Sequence, residues 1–157
     1  MFQQRSKGVF KDSKQAAQGY KHWKNGEWAE LEALLGPGSW PPNRGAISPK
    51  AETLQPGHRI DRFGGWHDSS GDFRDMGSFV SPEGEKFDKR ALPMATKNKP
   101  YMSYEVLKPL DVESAEAIPW FGMQGKGTQY ELSDSIEKLV ADGYLKPVTP
   151  KYDPSKL

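Results

Sequence analysis

Thirteen prolines and sixteen glycines punctuate a chain of 157 residues, and that density of breakers excludes most architectures. Proline removes a backbone donor and glycine weakens a helix, so a bundle of long helices is closed to such a chain. Short strands joined by many turns remain open. The length suits one ordinary domain. Only 35% of residues are hydrophobic, yet five Trp, six Tyr and seven Phe are among them. Each aromatic buries a large area, so a modest core is within reach. No repeat of solenoid or propeller length is visible.

Local patterns then order the chain. Residues 1–27 hold six Lys/Arg against two Asp/Glu and read as a basic, loosely helical or mobile lead-in. "GEWAELEALLG" places Trp28, Leu31, Leu34 and Leu35 at helical spacing, and Gly36-Pro37 stops the helix. "GPGSWPPNRG" reads as an ordered arm held by Trp40. "HRIDRFGG" predicts a strand, "GGWHDSSGD" a loop, and "GSFVSPEGE" a short strand entering a turn. "KPYMSYEVLKPLDVES" alternates as one long strand, with Tyr101, Ser103, Glu105 and Leu107 on one face. "TQYEL" predicts another strand. "SDSIEKLVADGY" predicts a helix capped at Ser133 or Asp134, with Glu137 completing a capping box. "YLKPVTP" suits an edge strand. The order implies an α+β fold: a small, twisted, mostly antiparallel sheet with a few flanking helices. We divide the chain into a basic helical lead-in, 1–36, and a domain, 37–157.

Several functions are excluded early. Without cysteine there is no disulfide, thiolate metal site or cysteine nucleophile. No apolar run is long enough to span a membrane, and the N-terminus carries no secretory signal. The chain is therefore expected to be cut from something larger, or exported by a route that reads no such signal. A formal net charge of +1 makes no case for nucleic acid. His22, His58 and His67 lack metal-ligand spacing, so no metal is expected. Neither a nucleophile elbow nor a phosphate-binding P-loop motif is present. Glu83, in a turn, and Glu105, on a strand, read as solvated surface groups rather than a catalytic carboxylate pair.

Two arginines stand out. Arg62 lies at a strand end before Phe63 and two glycines, and Arg90 lies in "FDKRALP". A guanidinium fork binds phosphate through two parallel bonds. The same residues also suit surface ion pairs, worth about 0–1 kcal/mol. Phe63, Phe79, Trp120 and Phe121 suit either a stacking wall or a core. The stretch "PWFGMQGKGTQYEL" sets three glycines between an aromatic pair and Gln129, as though the backbone must approach something closely.

Together "WPPNRG", "LQPGHRIDRFGG", "GSFVSPEGEKFDKRALP", "KPYMSYEVLKPLDVESAEAIPWFGMQGKGTQYEL" and "IEKLVADGYL" resemble the tuberculosis necrotizing toxin domain family. These are NAD+ glycohydrolases at the C-termini of secreted bacterial toxins and in some fungal surface enzymes. The resemblance runs in order from about Trp40 to about Val148. It implies hydrolysis of NAD+, and possible use of NADP+, as substrate with no cofactor. It also implies delivery to a target-cell cytoplasm and a cognate immunity protein that plugs the pocket. By the same resemblance Arg62 binds the phosphates as part of the catalytic set, Arg90 faces the phosphates or ribose, Phe63 walls the pocket and Phe79 flanks the nicotinamide; Phe121 is a further candidate for excluding water beside Phe79. Gln129 acts at the scissile bond. Met102 stands where some members have histidine, so a mechanism built on that histidine does not transfer. The disulfides and calcium-binding extension of fungal members have no counterpart. Two other readings share these residues: an ADP-ribosyltransferase toxin, and a non-catalytic module that binds a nucleotide or a partner.

Overall fold

Residues 2–157 are described by a computed structural model. The lead-in forms two helices, α1 (Phe2–Arg5) and α2 (Ser13–Lys24), and α3 (Trp28–Leu35) follows. Asp12 caps α2 by accepting from the Gln15 amide at 2.8 Å, as a short carboxylate at an N-cap does. Nine strands come next: β1 (Lys50–Leu54), β2 (Arg59–Phe63), β3 (Trp66–His67), β4 (Phe73–Arg74), β5 (Phe79–Pro82), β6 (Tyr101–Val106), β7 (Leu110–Glu116), β8 (Thr128–Leu132) and β9 (Leu145–Val148). The helix α4 (Ile136–Ala141) lies between the last two.

Seven strands form one antiparallel sheet in the order β1-β7-β8-β5-β2-β6-β9, and β3 pairs with β4 separately. The α+β expectation is met, and β9 takes the edge its proline suits. The long strand read from 99–114 is in fact two. Leu107 leaves the ladder to donate to the Tyr144 carbonyl at 2.8 Å, and Pro109 has no amide to continue it. Three strands separate β6 from β7 in the sheet. Four strand spacings of about 4.8 Å total about 19 Å, whereas the four links from Val106 to Leu110 reach at most about 14 Å. The sheet must therefore curl. Its halves close on one core containing Leu54, Ile60, Val80, Tyr104, Val106, Leu110 and Leu132, with Ile136 and Leu139 from α4.

Other local expectations shift for identifiable reasons. The supposed loop at 64–72 contains part of the small β3–β4 hairpin. Strand β1, polar and mostly exposed, lies at the sheet edge and shows no alternation to announce it. The cap of α4 is Ser135, whose Oγ accepts from the Lys138 amide, and Glu137 instead grips Arg74. Trp40 does not anchor its arm, being 61% exposed. Buried Pro42 and Asn43 do, together with the Trp120 indole N–H donating to the Ser39 carbonyl at 2.8 Å. A second core joins Leu31 of α3 to Ala117, Ile118 and Trp120, with Trp23 and Trp28 packed on it, so the lead-in shares apolar contacts with the sheet.

Candidate active site

The two halves of the sheet meet at only two residue pairs, Ile60–Pro82 and Asp61–Ser81. The next inward-facing pair in that register is Phe63–Phe79, but the strands have parted there. The Phe79 carbonyl, which a continued ladder would satisfy, accepts instead from Arg62 Nη1 at 3.0 Å. Arg62 Nε donates to Asp75 Oδ2 at 2.8 Å. The guanidinium is held against two glycines: a Cβ on Gly64 or Gly77 would come within 2.7 or 2.0 Å of it. Those glycines make room for the arginine that wedges the sheet open.

A cavity of about 400 Å³ opens over this split, within the range of small-molecule sites, roughly 300–1,000 Å³. Arg62, Phe63, Phe79, Arg90 and Gln129 all contribute to its wall. Phe63 is its buried floor, edge-on to Phe87 at 5.2 Å. Phe121 is not in the wall. It packs edge-on against Trp40 at 5.1 Å, and Trp40 is the aromatic that reaches the cavity.

Arg90 differs from the fork its sequence suggested. It is buried, with Nη1 and Nη2 on the two oxygens of Asp61 at 2.6 and 2.9 Å. Nε and Nη2 also donate to the Glu85 carbonyl, so four of its five N–H groups are engaged. Asp61 is wholly buried and also accepts from the Tyr101 hydroxyl at 2.6 Å and the Gly84 amide at 2.9 Å. Burial, then the bond to Asp61, push the Tyr101 phenol above its ordinary pKa, so it stays a donor at neutral pH. The fork serves a buried carboxylate, and one N–H remains for a ligand.

Gln129 sits on β8, its amide nitrogen donating to the Arg44 carbonyl at 3.3 Å. A carbonyl only accepts, so Nε2 must face it, and the amide oxygen is the end left for the cavity. Arg44 belongs to a tight turn, Asn43–Gly45. Gly45 has φ +74°, and a Cβ there would stand 3.7 Å from Gln129 Oε1. That distance is ordinary contact, so the positive φ rather than crowding against the glutamine is what calls for glycine there. The glycines of 122–127 serve otherwise. Gly125 packs on Pro119 and Gly127 on Lys89, where a Cβ would meet atoms at 2.6 and 2.8 Å. Their amides donate to the Asp88 and Lys89 carbonyls. The loop is thus stitched to the 3₁₀ turn Phe87–Arg90 and fixes β8 from behind.

The sequence reading passed over Arg44, Asp61 and Lys99, all of which line the cavity. Both Arg44 nitrogens Nε and Nη2 bond Glu131, chiefly through which its pKa is raised further. Lys99 is exposed and has no ion-pair partner among the described residues. No cluster of metal-ligating side chains occurs among the described residues, and no helix there is long and apolar enough to cross a membrane.

A family model described as tuberculosis necrotizing toxin matches residues 53–148. No curated protein sequence matches the chain. Among solved structures, tuberculosis necrotizing toxin complexed with its immunity factor IFT superposes with a TM-score of 0.55 at 22% identity, covering 69% of this chain and 60% of that chain. This chain thus spans about three-fifths of that one, and the likeness shows a shared fold. Tse6 in complex with Tsi6 gives 0.44 at 13% identity, over 83% and 97% of the two chains. Rhs1-CT in complex with cognate immunity protein RhsI1 gives 0.44 at 20%, over 71% and 85%.

Proposed function

The chain belongs to the tuberculosis necrotizing toxin family, and from that premise we propose that this toxin domain hydrolyses NAD+, and NADP+ by the same chemistry, to nicotinamide and ADP-ribose. The observation that supports the reading is Gln129 in the wall of an aromatic-lined cavity, its Nε2 held by the Arg44 carbonyl, which leaves the amide oxygen as the end to meet a ligand.

The chemistry asks little of such a site. When the bond from C1′ to the nicotinamide nitrogen breaks, its electron pair leaves with the ring, which passes from pyridinium to neutral base. No acid is needed. The ribose becomes oxocarbenium-like, and water adds its oxygen to C1′ and releases a proton to solvent. Gln129 Oε1 accepts a hydrogen bond from that water or from the ribose hydroxyls and keeps its charge state throughout. Bonds that tighten as the ribose flattens raise the rate rather than the affinity alone. Trp40, Phe63 and Phe79 surround the planar base and exclude bulk water.

The diphosphate falls to the cations at the rim. Arg62 and Arg90 keep N–H groups to offer, but Asp75 and Asp61 already balance their charges. Lys99 supplies the uncompensated positive charge. Remote binding energy of this kind positions the reacting bond.

The transferase reading has one point of contact. Glu131 follows Gln129 by two residues on the same face of β8, but Arg44 holds both its oxygens. A carboxylate so engaged does not activate a protein acceptor, which favours water. Radiolabelled NAD+ separates the readings: free ADP-ribose supports hydrolysis, labelled protein supports transfer, and intact NAD+ leaves only a binding module. The solved neighbours are complexes with immunity proteins. For this chain we assign a cognate immunity protein that covers the exposed Trp40 and Met94 and meets Lys99 with acidic residues. Consumption of NAD+ would make it an effector delivered to a target-cell cytoplasm, carried there by a larger secreted protein.

A further inference from the structure

The turn that aims Gln129 is strained. Asn43, Arg44 and Gly45 lie consecutively at φ 55°, 53° and 74°, a region that glycine takes freely, asparagine tolerates singly and other residues avoid. Two such residues in a row persist only where surrounding contacts over-determine them. Some of those contacts are local or come from the sheet: Asn43 Nδ2 donates to the Ala46 carbonyl at 2.6 Å, the Ile118 amide to the Gly45 carbonyl at 2.9 Å, and Arg44 to Glu131. The rest come from the N-terminus. The Asn43 amide donates to Ser6 Oγ at 2.7 Å, and Arg5 Nε donates to the Asn43 carbonyl at 3.3 Å. Arg5 Nη1 reaches Glu113 at 2.5 Å and Nη2 lies 3.6 Å from Glu131, the carboxylate that grips Arg44. The segment is anchored by Phe2, buried and packed on Trp23 at 4.8 Å.

We propose that Arg5 and Ser6 are positioning residues for the active site: by holding the left-handed turn at 43–45, they fix the Arg44 carbonyl that orients the Gln129 amide. Both lie outside residues 53–148 matched by the family model. The basic lead-in is then part of the working site. Without this acceptor and this donor the turn loses its hold on the Asn43 backbone, the Arg44 carbonyl shifts, and the carboxamide loses its alignment. Such misplacement leaves binding surfaces intact but spoils alignment at the reacting carbon, where about 1 Å costs up to about 10²-fold in rate.

This inference rests on the hydrolase reading of the same site, so the experiment separates the two. Ser6→Ala, Ser6→Thr and Arg5→Met are compared with the unaltered chain and with Arg74→Met, which lies in the separate β3–β4 hairpin in a surface pair with Glu137. Nicotinamide release is measured well below each variant's melting temperature. Ser6→Ala and Arg5→Met should lower kcat about tenfold or more with KM within about twofold. Ser6→Thr keeps the oxygen and should restore most of kcat, its methyl entering the open space beside Ser6. Arg74→Met should match the unaltered protein. An unchanged kcat in Ser6→Ala and Arg5→Met overturns the proposal, as does a loss carried by KM alone. If the unaltered chain releases no nicotinamide, the hydrolase reading fails, and amide exchange at residues 43–46 still decides the positioning claim. Faster exchange there in Ser6→Ala, with a collapsed pair of Gln129 side-chain amide resonances, supports it; unchanged exchange and resonances refute it.

Discussion

Replacing Arg90 by methionine tests the buried network beneath the cavity. The Arg90 and Asp61 side chains are 4% and 0% exposed. Methionine fills similar volume but leaves the Asp61 carboxylate with only the Tyr101 hydroxyl and the Gly84 amide as donors. An uncompensated buried charge of this kind costs about 3–5 kcal/mol. The Glu85 carbonyl loses its two arginine bonds as well, and Phe63 loses the cation 5.0 Å above its ring. For a chain of this size each kcal/mol moves the melting temperature by roughly 2–4 °C, so Arg90→Met should melt about 6–20 °C lower. The second variant, Asp61→Asn with Arg90→Met, removes both charges and should recover part of the loss, because an isolated buried ion is what costs most. Differential scanning calorimetry at neutral pH measures both. A fall of under about 3 °C in the single variant, or no recovery in the double, would show that Arg90 is not the counter-ion of a closed network.

Three further outcomes follow from the same geometry. Lys99→Ala should raise KM for NAD+ about fivefold with little change in kcat, because a partly exposed charged bond to phosphate contributes on the order of 1 kcal/mol; initial-rate kinetics over a range of NAD+ read it out. Arg62→Ala should raise KM and also lower the melting temperature, since the arginine satisfies both Asp75 and the Phe79 carbonyl where the strands part; an unchanged melting temperature would contradict the wedge. Burial raises the Glu83 carboxyl's pKa, but the Arg59 hydrogen bond and the Lys151 amide outweigh it and bring the group from 4.5 to about 2. A depressed carboxyl stabilises the fold above its unfolded value and loses that contribution as pH falls. Urea unfolding should therefore show Glu83→Gln less stable than the unaltered chain at pH 7, with the gap narrowing below about pH 4.5 and closing near pH 2.

What the sequence disclosed were features set by near neighbours. The apolar spacing of Leu31 and Leu35 marked α3, and the alternation in "TQYEL" marked β8. Gln129, Arg62, Phe63, Phe79 and Arg90 were all singled out, and the fold brings them to one cavity. What stayed hidden depends on residues far apart along the chain. The alternation through Leu107 runs unbroken; Pro109 hints at a break, but the Tyr144 carbonyl, 37 positions on, fixes where the strand ends. Arg90's fork looked free because its partner, Asp61, lies 29 positions earlier and is apparent only when β2 faces the 3₁₀ turn. The turn at 43–45 is only half-signalled: Pro42, Asn43 and Gly45 announce a turn, and Asn and Gly tolerate positive φ, but nothing marks Arg44 as left-handed. Phe121 and the 122–127 glycines misled for the opposite reason. Their composition suits a ligand loop, yet their bonds to Glu32, Asp88 and Lys89 turn them into scaffold.

In the proposed reaction a neutral carboxamide, aimed by a backbone carbonyl, directs water to C1′ of NAD+. Single-turnover and steady-state nicotinamide release by the purified chain and by Gln129→Ala address it most directly. The account predicts ready release by the unaltered chain and a kcat lower by about 10²–10³ in the variant, comparable to deleting one preorganised polar group, with the melting temperature preserved. Equal turnover by the two proteins, or no release by either, would contradict it.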